Sequence, residues 1–123
     1  MRTKIKPLEK KIAILISGRG TNMEAIIKDS KKINYPGIVK FVLSSNPKAL
    51  GITKAKNLGI KTFVFPIDKN HSIEIFEKRL LNLLIKEKIE LICLAGFMKL
   101  LSNNFLQNYK GIILNIHPSI LPS

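Results

Sequence analysis

The sequence predicts an α/β fold, an open and mainly parallel sheet with helices on both faces. Apolar runs of strand length alternate along the chain with segments of helical periodicity. The first run, residues 12–16, is continuously aliphatic, which is typical of a strand buried on both faces. Parallel strands joined through helices need right-handed crossovers, and these crossovers place helices on the faces of the sheet.

The first half of the chain predicts three strands and two helices. The strand over 12–16 ends in the glycine turn Ser17-Gly-Arg-Gly20. Thr21 and Glu24 fit a capping box, with Thr21 as the N-cap of a helix that runs to about Lys31. The elements that follow are a strand over 38–43, a helix from Asn46-Pro47 through Asn57 to a left-handed cap at Leu58-Gly59, and a short strand over 62–65.

The second half predicts the longest helix, a short helix and two more strands. Ser72 can cap the longest helix, which has an apolar face toward the core and a charged face toward water. Strands over 91–94 and 112–116 flank a short helix near 102–109, and we expect the fifth strand at a sheet edge. The core-facing residues of the longest helix are Ile75, Phe76, Leu80, Leu83 and Leu84, and the water-facing ones are Glu74, Glu77, Lys78 and Lys86.

Length and composition indicate one domain without a membrane segment. The chain has 123 residues, 46% of them hydrophobic and 24% charged, which is enough for one core. Its longest apolar runs, 12–16 and 89–97, are far shorter than the roughly 20 residues that cross a bilayer. A basic extension, residues 1–10, leads into no signal-type apolar region, and the single cysteine, Cys93, has no disulfide partner. We therefore expect a cytoplasmic protein with a buried, inert thiol.

The formal net charge of +13 suggests nucleic-acid binding, but the distribution of the lysines argues against it. The lysines are scattered over predicted helix surfaces and turns, without a recognition-helix cluster or strands that carry aromatic residues. We expect no nucleic-acid partner. The positive field instead favours the approach of anionic small molecules.

Three loops should meet at one edge of the sheet, because ligands bind outside the carboxyl ends of parallel strands. The first loop carries Gly18, Arg19, Gly20, Thr21 and Asn22, a set suited to a phosphate through backbone N–H groups, side-chain donors and a helix N-terminus. The second is the turn Gly96-Phe-Met98. The third is the end of the last strand, where alternation places Asn115 and His117 on the same side.

Each of these signals also has a purely structural interpretation. Residues 18–22 match neither the dinucleotide fingerprint nor a Walker loop, so a plain strand-to-helix turn remains possible. The turn after the fourth strand can be a tight turn covered by apolar side chains, and Asn115 and His117 can be a polar strand end. His71 is expected to be a solvated residue near a helix start. We predict no metal site, since the sequence lacks ligand residues at zinc or two-metal spacing.

Taken together, three segments resemble the phosphoribosylglycinamide formyltransferases, within the wider family that uses 10-formyltetrahydrofolate. The resemblance covers the chain from Lys11 in order and spacing and implies a Rossmann-like formyltransferase fold. The segments are Leu15-Ile-Ser-Gly-Arg-Gly-Thr-Asn-Met23, Leu94-Ala-Gly-Phe-Met-Lys-Leu-Leu-Ser102 and Leu114-Asn-Ile-His-Pro-Ser-Ile-Leu-Pro122.

The resemblance implies transfer of a formyl group from 10-formyltetrahydrofolate to the amine of glycinamide ribonucleotide in purine biosynthesis, without a metal. It implies that residues 18–22 hold the substrate phosphate and that Asn115 and His117 are catalytic. It also implies that the folate contacts Asn115 and the run Met98, Lys99, Leu100 and Leu101.

The family pattern continues beyond Ser123, so we expect residues 11–123 to be the N-terminal part of a single domain that stops after the His-Pro-Ser-x-Leu-Pro loop. The family's aspartate partner of the histidine falls on neither Asp29 nor Asp68, and Ile73 stands where a basic residue is expected. A complementary C-terminal chain is one possible partner. The alternatives are an inactive phosphate-binding remnant, a formyltetrahydrofolate deformylase or a methionyl-tRNA formyltransferase relative.

Overall fold

The structure, a computed structural model, describes residues 9–97 and 101–116. Within these ranges strands and helices alternate along the whole chain, as the sequence predicts. The elements are β1 (Lys10–Ile16), α1 (Thr21–Ser30), β2 (Gly37–Ser44), α2 (Leu50–Asn57), β3 (Lys61–Val64), α3 (Ile73–Lys86), β4 (Leu91–Ala95), α4 (Asn103–Asn108) and β5 (Ile112–Ile116).

The five strands form one sheet in the order β3-β2-β1-β4-β5, and every neighbouring pair is parallel. The predicted α/β class and the parallel sheet are therefore confirmed. The chain moves outward from β1 through β2 to β3, then returns to the other side of β1 and continues through β4 to β5. The order thus reverses between β1 and β4, which is where open α/β sheets bind ligands.

The central strand β1 explains why helices cover both faces of the sheet. Its side chains alternate, so that Ile12, Ile14 and Ile16 pack in the core under α1 and α2. Ala13 and Leu15 pack in the opposite core under α3 and α4. Burial of one large aliphatic side chain contributes about 1.5–3 kcal/mol, so a strand that is apolar on both faces is stable only between two layers of helices.

Two predicted helix starts are wrong. The capping box is absent, because the N-cap of α1 is Gly20 in the left-handed conformation (φ 75°) and Thr21 is already helical. The sharp turn out of the buried strand needs a positive φ, which glycine adopts without strain. The helix expected from Asn46-Pro47 begins at Leu50 instead, because the Asn46 side chain accepts the N–H of Lys48 at 3.0 Å and stabilises a turn.

Other predicted helix ends are confirmed. Gly59 has φ 81° after α2, and its N–H donates to the Lys56 carbonyl at 3.0 Å. The Ser72 hydroxyl accepts the N–H of Ile75 at 3.2 Å and caps α3. Both signals depend on residues within one turn of the helix end, which is why the sequence alone reveals them.

The predicted faces of α3 are wrong at two positions. Ile75, expected in the core, is 49% exposed, and Glu77, expected in water, is only 7% exposed. Phe76, Leu80 and Leu84 are buried as predicted. The buried stripe therefore includes Glu77, whose carboxylate accepts two hydrogen bonds from Ser102, the N-cap of α4.

Strand β5 lies at one edge of the sheet, as predicted. Its residues Ile112 and Leu114 are 55% and 48% exposed. In the adjacent strand β4, Cys93 is buried, also as predicted. Among residues 9–97 and 101–116, no helix is long and apolar enough to span a membrane.

Candidate functional site

A cleft of approximately 370 Å³ opens where the strand order reverses. One wall is the loop after β1, residues 18–22, and the other is Ala95 and Gly96 at the end of β4. Two segments far apart in sequence therefore meet at one edge, because β1 and β4 are adjacent parallel strands. This is the place where the sequence analysis expected the first two loops to converge.

The loop after β1 presents backbone to the cleft. Gly18 is exposed, and a Cβ added there would meet nothing within 4 Å. Gly20 caps α1, so Thr21 and Asn22 lie in the first helical turn, whose N–H groups carry the partial positive charge of the helix. The loop therefore combines open space, N–H donors and a positive end, which is the combination that anions bind.

The loop from β2 to α2 and the first turn of α2 support this wall, a contribution that the sequence did not predict. The Asn46 side chain donates to the Ser17 carbonyl at 3.2 Å, and the Gly51 N–H donates to the Gly18 carbonyl at 2.9 Å. A Cβ added at Gly20 would lie 2.9 Å from the Gly51 Cα, so the two backbones touch. An isolated glycine within a helical pattern was the available signal for this close approach.

The second loop leaves the cleft beside Gly96 and turns toward α3. The Phe97 ring stacks on the Phe76 ring with centroids 5.8 Å apart. Leu101 is half-buried and packs against the core under α3 and α4. Met98, Lys99 and Leu100, which the resemblance assigns to the folate, lie outside the described residues.

Asn115 is an exposed residue near the carboxyl end of β5. The register pairs it with Leu94 and pairs Ile116 with Ala95, one of the residues that line the cleft. Leu94 packs against the core under α3 and α4, so Asn115 shares the sheet face of these helices, which is also the face of Leu101. His117 lies outside the described residues.

A larger groove, approximately 690 Å³, lies between α3 and α4. Its walls include Glu77, Phe105 and Ser102, the last residue of the second motif segment, together with Ile73, but none of the candidate catalytic or phosphate-binding residues. Glu77 accepts hydrogen bonds from the Ser102 N–H at 2.7 Å and from the Ser102 hydroxyl at 2.5 Å. The smaller cleft is the candidate functional site, because it lies at the strand ends and is bordered by the glycine loop after β1.

His71 pairs with Asp68, away from the cleft. Its Nδ1 lies 2.8 Å from the Asp68 Oδ1, and both side chains are about half exposed. This hydrogen bond and that of the Asn70 N–H lower the pKa of Asp68. Burial raises the pKa of the Cys93 thiol. Within the described ranges, no group of three or more His, Cys, Asp or Glu side chains is arranged to hold a metal ion.

Comparison with known proteins gives one consistent family. The family described as formyl transferase matches residues 10–123. The chain is 42% identical over 120 residues to the trifunctional purine biosynthetic protein adenosine-3 of Gallus gallus, and 37% identical over 114 residues to the phosphoribosylglycinamide formyltransferase of Bacillus subtilis. The solved phosphoribosylglycinamide formyltransferase of Brucella melitensis superimposes with a TM-score of 0.85 at 43% identity, over 93% of this chain and 59% of that one.

The match covers the chain almost fully but covers the relatives only in part. It includes 98% of this chain and 12% of the Gallus gallus protein, and 93% of this chain and 58% of the Bacillus subtilis protein. The chain therefore spans a little more than half the length of the Bacillus subtilis relative, which has a single function.

Proposed function

Because this chain belongs to the formyl transferase family, we propose that it carries the phosphate-binding and formyl-transfer elements of a phosphoribosylglycinamide formyltransferase. The reaction moves a formyl group from 10-formyltetrahydrofolate to the amine of glycinamide ribonucleotide, a step of purine biosynthesis. The observation that carries this proposal is the cleft at the reversal of strand order, lined by residues 18–22 and by Ala95 and Gly96.

The phosphate of glycinamide ribonucleotide binds the loop after β1. Gly18 is exposed and leaves the backbone N–H accessible, whereas Gly20 is buried and supplies the positive φ that turns the chain into α1. Arg19, Thr21 and Asn22 add a charge and side-chain donors. The supporting bonds of Asn46 and Gly51 fix the loop before the ligand arrives, so little ordering entropy is lost on binding.

The reaction needs one new bond, one broken bond and one proton transfer. The substrate amine attacks the formyl carbon, the bond from this carbon to the donor nitrogen breaks, and one proton passes from the amine to that nitrogen. Negative charge develops on the formyl oxygen during the attack, and donors directed at this oxygen lower the barrier. Asn115 supplies a neutral amide donor, and His117 supplies a second donor and a titratable proton.

The described apolar residues on the sheet face of Asn115 fit the flat face of a pterin ring, whose edge is polar and needs hydrogen-bond partners. Phe97 and Leu101 are apolar and half-buried, and both pack on the sheet face that Asn115 shares. The folate site comprises Asn115 and residues 98–101. Bound there, 10-formyltetrahydrofolate supplies the activated formyl group, while the chain positions the acceptor amine and the proton donors.

The remaining part of the site comes from a segment that corresponds to the rest of the relatives' length. The histidine of such a site works best when it is protonated, and a carboxylate beside it would raise its pKa for that purpose. Whether this segment is joined to residues 1–123 or supplied as a second chain does not change the chemistry. We propose that the protein acts on small-molecule substrates only and that it is located in the cytoplasm.

Ligand binding tests the phosphate part of the proposal directly. Titration of the chain with glycinamide ribonucleotide, followed by amide NMR, should shift the resonances of residues 18–22 and of Gly96. The dephosphorylated ribonucleoside should bind at least about tenfold more weakly, because the phosphate contacts are lost. Equal binding of the two ligands, or shifts confined to other regions, would refute the phosphate site.

An assay of enzymatic turnover tests the proposed formyl transfer. Residues 1–123 are assayed alone and together with the segment of the Bacillus subtilis relative that follows the matched region. Asn115→Ala should lower kcat about 100-fold or more in the active combination, because a donor to the developing oxyanion is removed. The matched control is Asn82→Ala, which changes an exposed asparagine on α3. Transfer by the Asn115 variant at the unchanged rate would refute the assigned role, and hydrolysis of the folate without transfer would favour a deformylase.

A further inference from the structure

The segment that follows β2 holds the carbonyl groups of two consecutive peptides in the loop after β1. The Asn46 side chain donates to the Ser17 carbonyl at 3.2 Å, and the Gly51 N–H donates to the Gly18 carbonyl at 2.9 Å. Within the described ranges every peptide bond is trans, and in a trans peptide the N–H points opposite to the carbonyl. The two hydrogen bonds therefore also fix the directions of the Gly18 and Arg19 N–H groups.

The order of the strands shows where these two N–H groups point. Strand β2, from which the supporting segment leaves, lies on one side of β1, and β4 lies on the other. Since the Ser17 and Gly18 carbonyls are held from the β2 side, the Gly18 and Arg19 N–H groups face the β4 side. The cleft lies there, between the loop after β1 and the end of β4. Among the described residues, neither N–H donates to a backbone carbonyl, so both can donate to an anion in the cleft.

Asn46 is itself held in place by a buried residue at the end of β2. The Ser44 hydroxyl is fully buried, accepts the Asn46 N–H at 3.0 Å and donates to the Asn46 carbonyl at 3.1 Å. The Asn46 side chain accepts the Lys48 N–H through its oxygen and donates to the Ser17 carbonyl through its nitrogen. An amide supplies one acceptor and one donor for these two partners, whereas a carboxylate supplies acceptors only. The position therefore requires Asn rather than Asp.

We propose that Asn46 is a positioning residue for the phosphate site. By holding the Ser17 carbonyl on the β2 side, it keeps the Gly18 N–H directed into the cleft as a donor to the phosphate. Glycine adopts a wide range of backbone angles, so without this bond the peptide between Ser17 and Gly18 can rotate and turn its carbonyl toward the anion. The inference rests on the proposed function, because the direction of this N–H matters only if a phosphate binds the loop.

Substitutions at Asn46 separate this role from the stability of the turn. Asn46→Asp keeps the acceptor for the Lys48 N–H and loses the donor to the Ser17 carbonyl. Asn46→Ser is the uncharged counterpart, because a serine hydroxyl stabilises the same kind of turn more weakly and is too short to reach Ser17. Asn34→Asp is the matched control, since Asn34 is an exposed asparagine in the loop before β2, at the opposite end of the sheet.

The experiment measures binding of ribose 5-phosphate to the chain by amide NMR, together with the Tm of each variant. Both Asn46 variants should bind about fivefold more weakly or worse, because only molecules with the peptide in the binding orientation are competent. In the free variants the Gly18 amide nitrogen resonance should shift more than that of Arg19, whose peptide is still held by Gly51. The Tm should change by less than about 4 °C, because the side chain is exposed. Asn34→Asp should change the affinity by less than about twofold.

The possible results are distinguishable. Unchanged affinity in both Asn46 variants, or an unshifted Gly18 resonance, would overturn the inference and leave the proposed function intact. Weakening by Asn46→Asp alone would mean charge repulsion rather than a lost donor, and it would also overturn the inference. A loss of affinity that comes with a large fall in Tm and shifts throughout the loop would assign Asn46 to stability only. If the unsubstituted chain binds no ribose 5-phosphate, the phosphate part of the proposed function fails, and the inference fails with it.

Discussion

Replacement of Gly51 by alanine should destabilise the chain, although alanine is normally the better helix former. The added Cβ would lie under 3.0 Å from the Ile16 Cδ1, 3.1 Å from the Gly20 Cα and 3.2 Å from the Gly18 carbonyl oxygen. Ile16 is fully buried, and the other two contacts are backbone atoms of the loop after β1. The side chain therefore has no space unless the loop or α2 moves.

The magnitude follows from two opposing effects. Glycine to alanine within a helix gains at most about 1 kcal/mol, whereas overpacking of a filled site costs about 1–3 kcal/mol. The hydrogen bond from the Gly51 N–H to the Gly18 carbonyl also lengthens when the loop moves, which adds to the cost. We expect a net loss of about 1–2 kcal/mol, which lowers the Tm of a domain of this size by about 4–8 °C.

Thermal unfolding followed by circular dichroism measures this loss of stability. Titration with ribose 5-phosphate measures the affinity of the loop after β1 for a phosphate ligand. Gly51→Ala should lower both the Tm and the affinity for the phosphate. Gly18→Ala is the control for stability, because its Cβ would meet nothing within 4 Å and its Tm should stay the same or rise slightly. A Tm of Gly51→Ala equal to or above that of the unsubstituted chain would refute the packing argument.

Three further predictions test other parts of the fold. Burial and the Glu90 carboxylate raise the pKa of Tyr109 from 10.0 to about 12, so the unfolded state loses its proton first and stability should fall between these two pH values. Tyr109→Phe should reduce this fall in denaturation measured against pH to the part that Tyr35 contributes, because burial raises the pKa of Tyr35 as well; an undiminished fall would contradict the assignment. Ser72→Ala removes the N-cap hydrogen bond of α3 and should cost about 1 kcal/mol in urea unfolding; an unchanged midpoint would show that the cap contributes nothing. Because burial raises the pKa of Cys93, a thiol reagent at neutral pH should react with it only on unfolding, whereas rapid reaction in the native state would show that the thiol is accessible.

Several features of the fold and the site can be predicted from the sequence because they depend on neighbouring residues. The aliphatic run at 12–16 indicates a strand covered on both faces, and Ser72 and Gly59 indicate helix ends through bonds within one turn. The alternation of elements then leaves few possible topologies. The glycine loop after β1 belongs to this group, since its residues are consecutive and parallel strands open at one edge.

Tertiary structure decided the features that depend on residues far apart in sequence. Glu77 follows the water-facing pattern of α3, yet it is buried because Ser102, 25 residues later, supplies two donors. Glycine is a poor helix former, yet Gly51 is needed in α2 because the backbone of the loop after β1 occupies the space where a side chain would lie. Local sequence determines backbone hydrogen bonding and hydration along one element, whereas burial and close approach are determined by the element that packs against it.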